Sequence, residues 1–189
     1  MSGEHVCPWW LAYTFDNPLR RLVHNPAKMF GPYLGPGGKA ADIGCGLGYF
    51  SLGLARLVGR GGRVYSLDLQ ERMLAAVRRR SRRAGLDGRI VTRQAQKDSL
   101  AAADLAGQLD LVLTFWMMHE VPDQGRLLHQ VRELLRDGGH LFIAEPKMHV
   151  TAQEFEETLA LAQEQGLSLV ARPAVAMSRA AVLVKGGDR

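Results

Sequence analysis

The sequence predicts an α/β fold on a mostly parallel, doubly wound, seven-stranded sheet, and three observations lead there. From about residue 40 short apolar runs alternate with segments of helical period, and glycines close most of those segments. Each gap between the first five apolar runs is long enough for a crossover, whereas the last two runs stand too close for one.

The first strand runs through Ala40 to Ile43 into a glycine-rich turn. A helix follows in which Phe50, Leu54 and Val58 share a face before Gly59 stops it. The second strand is Arg63 to Leu67, and a helix over about Gln70 to Ala84 ends at Gly85. The third strand is Arg89 to Arg93, and Leu109 to Phe115 is apolar enough for a buried fourth. After Pro122 and Asp123, the three-and-four spacing of Leu127, Leu128, Val131, Leu134 and Leu135 predicts a helix closed by Gly138 and Gly139. His140 to Ala144 is the fifth strand. Thr151 with Glu154 forms a capping-box signature, opening a helix that turns Phe155, Leu159 and Ala162 inward and ends at Gly166. Leu167 to Val175 and Arg179 to Lys185 are expected to pair antiparallel, as a C-terminal hairpin at the sheet edge.

With 189 residues, 47% of them apolar, the chain suits one core rather than two domains. No apolar run reaches the roughly 18 residues of a membrane span. The opening MSGEHVCPWW lacks a basic region followed by an apolar stretch. A cytoplasmic protein without membrane contact is therefore expected. Cys7 and Cys45 support neither a disulfide framework nor a four-cysteine metal site, and no metal is expected. The net charge of +5 owes much to Arg78, Arg79, Arg80, Arg82 and Arg83. These follow Met73, Leu74 and Val77 on the second helix, so a solvent-facing stripe accounts for them better than a nucleic-acid site.

Residues 1–36 lie outside the alternation and are rich in aromatic residues and prolines, among them Trp9, Trp10, Tyr13, Phe15, Phe30 and Tyr33. A helical N-terminal cap belonging to the same domain as residues 37–189 is expected there.

The strongest chemical signal is DIGCGLG, Asp42 to Gly48, where a strand turns into a helix, with Asp68 at the end of the next strand. Gly44, Gly46 and Gly48 let the backbone bend and approach a ligand, and the helix N-terminus offers amide donors. Asp68 is placed to take both hydroxyls of a ribose. The spacing is GxGxG; a dinucleotide fingerprint would need glycine where Tyr49 stands. Asp42 would repel a diphosphate but suits an ammonium group, so the ligand implied is a nucleoside with a cationic tail.

On these motifs the chain resembles the class I S-adenosylmethionine (SAM)-dependent methyltransferases, especially small-molecule enzymes with a UbiE-like domain, over roughly residues 38–185. The resemblance implies a Rossmann-like fold with SAM as cofactor and S-adenosylhomocysteine as product. It places Asp42, Gly44, Cys45, Gly46 and Gly48 along the methionine part, Asp68 on the ribose, Leu69 beside the adenine and Phe115 at the cofactor, while Met73 belongs to the core. The acidic residue that usually takes the adenine amino group is absent from RQAQKDSL. Gln96 is the preferred counterpart, with Gln94 or Asp98 as alternatives, since an amide oxygen still accepts a hydrogen bond.

After the fourth strand, FWMMHEVPD matches the family segment that faces the transferable methyl. His119 and Glu120 are the catalytic candidates, His119 as a general base or acceptor-positioning group. Capping of the next helix or satisfaction of the loop backbone would explain either side chain equally. Trp116 stands out from its apolar neighbours as a wall for the acceptor. Glu145, Lys147 and His149 share the rim where acceptor contacts are expected; from the cap, His5, Cys7, Trp9, Trp10, Tyr13 and His24 could supply one wall of the acceptor pocket, with Trp10 and Tyr13 the residues assigned to it.

The resulting expectation is methyl transfer from SAM to a small-molecule acceptor by in-line displacement. An RNA or protein methyltransferase comes second; neither an Asn-Pro-Pro-aromatic motif nor a Pro-Cys nucleophile is present. A non-catalytic SAM-binding regulatory subunit comes third and a nicotinamide oxidoreductase last.

Overall fold

The computed structural model describes residues 23–187. Seven strands form one sheet in the order β3-β2-β1-β4-β5-β7-β6. They are β1 (Lys39–Ile43), β2 (Arg63–Asp68), β3 (Ile90–Gln94), β4 (Leu109–Phe115), β5 (Leu135–Pro146), β6 (Leu167–Ala171) and β7 (Ser178–Lys185). The first five run parallel; β7 pairs antiparallel with both β5 and β6. The helices are α1 (Pro26–Phe30), α2 (Tyr49–Leu57), α3 (Glu71–Arg83), α4 (Gln124–Leu134) and α5 (Ala152–Glu164). The Rossmann-like class expected from the sequence is the class observed.

Alternation along the strands builds two cores. Ala41, Ile43, Val112, Leu141 and Ile143 face α4 and α5 through Leu128, Val131, Phe155 and Leu159. Ala40, Val64, Leu111, Leu113 and Phe142 face the other way, onto Phe30, Phe50, Leu54 and Val77 of α1, α2 and α3. Phe142 lies edge-on to Phe30 at 5.0 Å, fastening α1 to the middle of the sheet. Truncating Phe142 to Ala would cost about 3–5 kcal/mol through lost burial and the cavity left behind.

The helix ends show why the chain turns where it does. Thr151 and Glu154 form the expected capping box: the Glu154 amide donates to Thr151 Oγ1 at 3.2 Å and the Thr151 amide to Glu154 Oε2 at 2.7 Å. Asp123 starts α4 by accepting the Arg126 amide at 2.8 Å. The α4 terminus differs from expectation. Leu134 is its last residue, and Leu135 already lies in β5, paired with Leu109. Gly138, at φ +72°, instead serves a bulge where the β4–β5 register shifts between Leu109 and Leu111. Of the C-terminal hairpin, β6 ends at Ala171, before Pro173, and takes the sheet edge while β7 lies inside it.

Among the arginines of α3, Arg79, Arg82 and Arg83 are exposed, as a solvent-facing stripe requires. Arg80 is an exception: it donates to the Leu47 carbonyl at 2.7 Å and ties α3 to the glycine turn. Most of the expected cap lies outside the described residues; its last portion is α1 and the segment up to the start of β1. No helix among the described residues is long and apolar enough to cross a membrane.

Candidate active site

The strand order reverses at β1, with β2 on one side and β4 on the other. A crevice therefore opens beyond the carboxyl ends of β1 and β4, where an open parallel sheet binds its ligands. The candidate residues gather at this rim.

The turn after β1 needs its three glycines for different reasons. Gly44, Gly46 and Gly48 all have positive φ, at +67°, +50° and +79°. A Cβ on Gly48 would lie 2.9 Å from Val77 of α3, and one on Gly44 would lie 3.0 Å from the Met117 side chain. A Cβ on Gly46 would meet nothing within 4 Å, so this glycine faces open space. Gly44 and Cys45 both donate to the Leu67 carbonyl, at 2.9 and 3.0 Å, holding the turn against β2.

Asp68 closes that turn. Its carboxylate accepts from the Gly46 amide and from the Gln70 amide, each at 2.9 Å. Burial pushes its carboxyl above the ordinary carboxylate range, partly offset by these amides. Cys45 is buried in the turn, and burial, aided by the charges of Asp42 and Asp68, raises its thiol pKa well above the usual value. It is therefore a protonated packing group rather than a nucleophile.

Asp42 is 2% exposed and accepts the Ser51 hydroxyl at 2.6 Å, while Ser66 donates to Ser51 Oγ at 2.8 Å. This buried chain links β1, α2 and β2. Sequence reading missed both serines, although each is a polar residue at a position whose periodicity is that of the core.

On the adenine side the candidates separate. Gln94 pairs with Asp68 across the β2–β3 ladder, and its Nε2 donates to the Leu69 carbonyl at 3.0 Å. Gln96, exposed like Gln94, lies in a short bridge where its amide donates to the Ser99 carbonyl at 2.7 Å. Leu69 is 39% exposed.

The segment after β4 is held by unusual backbone. Trp116 adopts φ +60°, and its indole Nε1 donates to Ser178 Oγ at 2.8 Å. Such a φ is costly for a residue with a Cβ and persists only where surrounding contacts enforce it. Phe115 is buried and lies beside Trp116, and His24 sets its ring edge-on to both, at 5.1 and 5.6 Å. His24 is one of the cap residues expected to supply a wall of the acceptor pocket. Its Nε2 lies 3.0 Å from the Ala176 carbonyl, which brings the start of the described chain to this same rim.

His119 and Glu145 form the most tightly bonded polar pair of the site. Glu145 was expected among the acceptor contacts; instead it is 1% exposed, and its carboxylate accepts from the Met117, Met118 and His119 amides, each at 3.1 Å. His119 Nδ1 completes the set by bonding Glu145 Oε2. That hydrogen bond raises the imidazole pKa, against desolvation and with smaller help from the charges of Glu145 and Glu120. The ring of His149 lies parallel to that of His119, 5.9 Å away. Glu120 is exposed.

Trp10 and Tyr13 lie outside the described residues. Among the described residues no group of three or more His, Cys, Asp or Glu side chains is placed to hold a metal ion.

A glycine turn braced by a carboxylate at the switch point of a parallel sheet defines a nucleoside-binding α/β protein. Comparison with known proteins specifies which. A family model described as "Methyltransferase domain" matches residues 34–176. The ubiquinone biosynthesis O-methyltransferase of Xanthomonas axonopodis pv. citri is 32% identical over 139 residues, 72% of this chain and 55% of that protein. The protein of the same name from Acinetobacter baumannii is 31% identical over 140 residues, again 72% of this chain and 56% of the relative. The chain thus spans about half the length of these curated relatives. A crystal structure of a SAM-dependent methyltransferase from Aquifex aeolicus shares the fold, with a TM-score of 0.84 over 95% of this chain and 100% of that one at 18% identity. The chain belongs to the class I SAM-dependent methyltransferases.

Proposed function

We propose that this protein transfers the methyl group of SAM to an oxygen of a small-molecule acceptor, with His119 as the base that takes the acceptor's proton. The observation that carries the reading is the His119–Glu145 pair at the rim of the nucleoside crevice. It sits two residues along from Met117, whose side chain packs against Gly44.

The residues fit the cofactor. Gly46 leaves space for close approach, and the Asp68 carboxylate offers acceptors suited to the two hydroxyls of a ribose. Asp42, Gly44, Cys45 and Gly48 form the floor of the methionine end, Leu69 and Phe115 flank the nucleoside, and Gln96, or Gln94 through its place beside Leu69, takes the adenine amino group. When bound, SAM supplies an electrophilic methyl on a sulfonium centre.

The chain's own part is to hold the acceptor, exclude water and remove a proton. Trp116, pinned by Ser178 and His24, is the wall against which a flat acceptor would lie. His119 receives the hydroxyl proton, and Glu120 beside it adds negative charge that favours the protonated imidazole. A base suits an oxygen acceptor, because a hydroxyl must lose its proton to keep the methyl. The relatives, O-methyltransferases of ubiquinone biosynthesis, agree with this atom. Small acceptors and solution in the cytoplasm are part of the same proposal.

Two measurements test it. Calorimetry with SAM and S-adenosylhomocysteine should show saturable heat for both. Labelled methyl transfer from SAM should then appear on a catechol probe and not on bulk RNA. Binding without transfer to any hydroxylated small molecule in a cell extract would make the protein a SAM-binding regulator instead.

A further inference from the structure

We infer that Glu145 is the positioning residue of this site: it fixes the backbone of the segment after β4 and sets the tautomer of His119, leaving Nε2 as the proton-accepting nitrogen. The inference rests on the reading of His119 as the base.

The argument is a count of donors and lone pairs. An ionised carboxylate offers about four acceptor positions and no donor. Oε1 receives the Met117 and Met118 amides, and Oε2 receives the His119 amide and His119 Nδ1. Every position is filled from within the chain, and the side chain is 1% exposed. Glu145 therefore has no capacity left for an acceptor molecule. Three consecutive amides converging on one anion make a nest, here filled by a carboxylate from 26 to 28 residues away in sequence.

The tautomer follows from the same count. Three of the four donors are backbone N–H groups and can only donate, so the carboxyl group is an acceptor toward them, and we assign the fourth hydrogen, between it and the ring, to Nδ1. In the neutral imidazole the lone pair is then on Nε2. A base must be held within a fraction of an ångström to act on a bound hydroxyl, and the nest supplies that rigidity through β5, where Ala144 and Glu145 pair with Ala180 and Arg179 of β7. Among the described residues, Glu145 from β5, Glu120 from the segment after β4 and the parallel ring of His149 from the loop after β5 surround the ring. Both carboxylates favour the protonated ring, so the base is stronger than a free imidazole and matched to a weakly acidic hydroxyl.

The test is histidine-selective ¹⁵N NMR on the full chain, with His119 assigned by its absence from the His119→Gln spectrum. In the wild type at alkaline pH the His119 signal should be that of the Nδ1–H tautomer. In Glu145→Gln, whose amide presents an NH₂ to the nest, the tautomer preference should be lost and the titration midpoint should fall toward that of a free imidazole. A wild-type Nε2–H tautomer overturns the inference even if Glu145→Gln does not fold, and so does an unmoved midpoint in a folded Glu145→Gln. Methyl transfer to catechol separates the two readings: if the spectra are as expected but His119→Gln transfers at the wild-type rate, Glu145 sets the ring as inferred and the assignment of His119 as the base is what fails.

Discussion

The Asp68 carboxylate accepts the Gly46 amide at 2.9 Å, so the acid at the end of β2 and the glycine turn after β1 form one unit. Asp68→Ala should therefore do two things. It removes the proposed ribose acceptor and also leaves the Gly46 and Gln70 amides without their partner. SAM affinity should fall by at least about 100-fold, the loss expected from a charge-assisted contact together with a loosened turn. Calorimetry measures it; a weakening of less than tenfold, on the order of one neutral hydrogen bond, would remove Asp68 from the binding site.

Burial raises the Asp68 carboxyl pKa, and the sign of the pH effect follows. Below that raised value the group is neutral and has lost acceptor capacity for a sugar. SAM affinity should thus decline as pH falls through a window that begins above the ordinary carboxylate value of 3.8. The contribution of Asp68 itself to stability has the opposite linkage. A raised folded pKa contributes stability that is complete below the unfolded value and fades as pH rises through the folded one. Affinity and stability should consequently separate on the acid side, which parallel calorimetry and thermal melts would reveal.

The glycines of the turn should not respond alike to alanine. Gly48→Ala places a Cβ 2.9 Å from Val77 at φ +79°, so strain and overpacking combine and about 2–4 kcal/mol of stability should be lost. Gly46→Ala keeps only the strain of φ +50°, about 1 kcal/mol, since nothing lies within 4 Å of the new methyl. That methyl would occupy the space left for the ligand. Melting temperature should single out Gly48 and SAM affinity should single out Gly46; the reverse ordering would mean the open face of the turn lies elsewhere.

Local patterns in the sequence were legible and distant pairings were not. Strand β4 was read to the residue, because seven residues of mostly apolar chain between turns admit little else. The Thr151 capping box was legible for the same reason, since all its partners lie within three residues. Gly138 and Gly139 misled: a glycine pair after a helical pattern looks like a helix stop, and only the register against β4 shows a bulge. Glu145 could be placed at the rim of the sheet but its partners could not, because they are brought to it by the β4–β5 pairing rather than by proximity in sequence. The buried serines at 51 and 66 carried a signal in hindsight, being polar at core-facing positions, yet nothing local names Asp42 as the partner of Ser51 or Ser51 as that of Ser66.

Thr114 tests the interior next to the site. Its side-chain oxygen is buried without a hydrogen-bond partner among the described residues, one position before Phe115. Valine has nearly the same shape and no hydroxyl to desolvate. Thr114→Val should raise stability by about 1 kcal/mol, a few degrees in melting temperature. A lower melting temperature would show that a bound water or ligand group satisfies the hydroxyl.

His119 offers a prediction in which the charge can be isolated from the hydrogen bond. The hydrogen bond to Glu145 raises the folded imidazole pKa above its ordinary value of 6.5. Such a group contributes stability that is fully present below the unfolded pKa and is lost as pH rises through the folded one. His119→Gln keeps an amide donor in reach of Glu145 but carries no charge at any pH. The wild type should therefore melt higher than the variant on the acid side of 6.5, and the difference should shrink as pH climbs through the raised value. A difference in melting temperature that stayed flat across neutral pH would mean that the imidazole and Glu145 interact without exchange of charge, and the strengthened base would have to be given up.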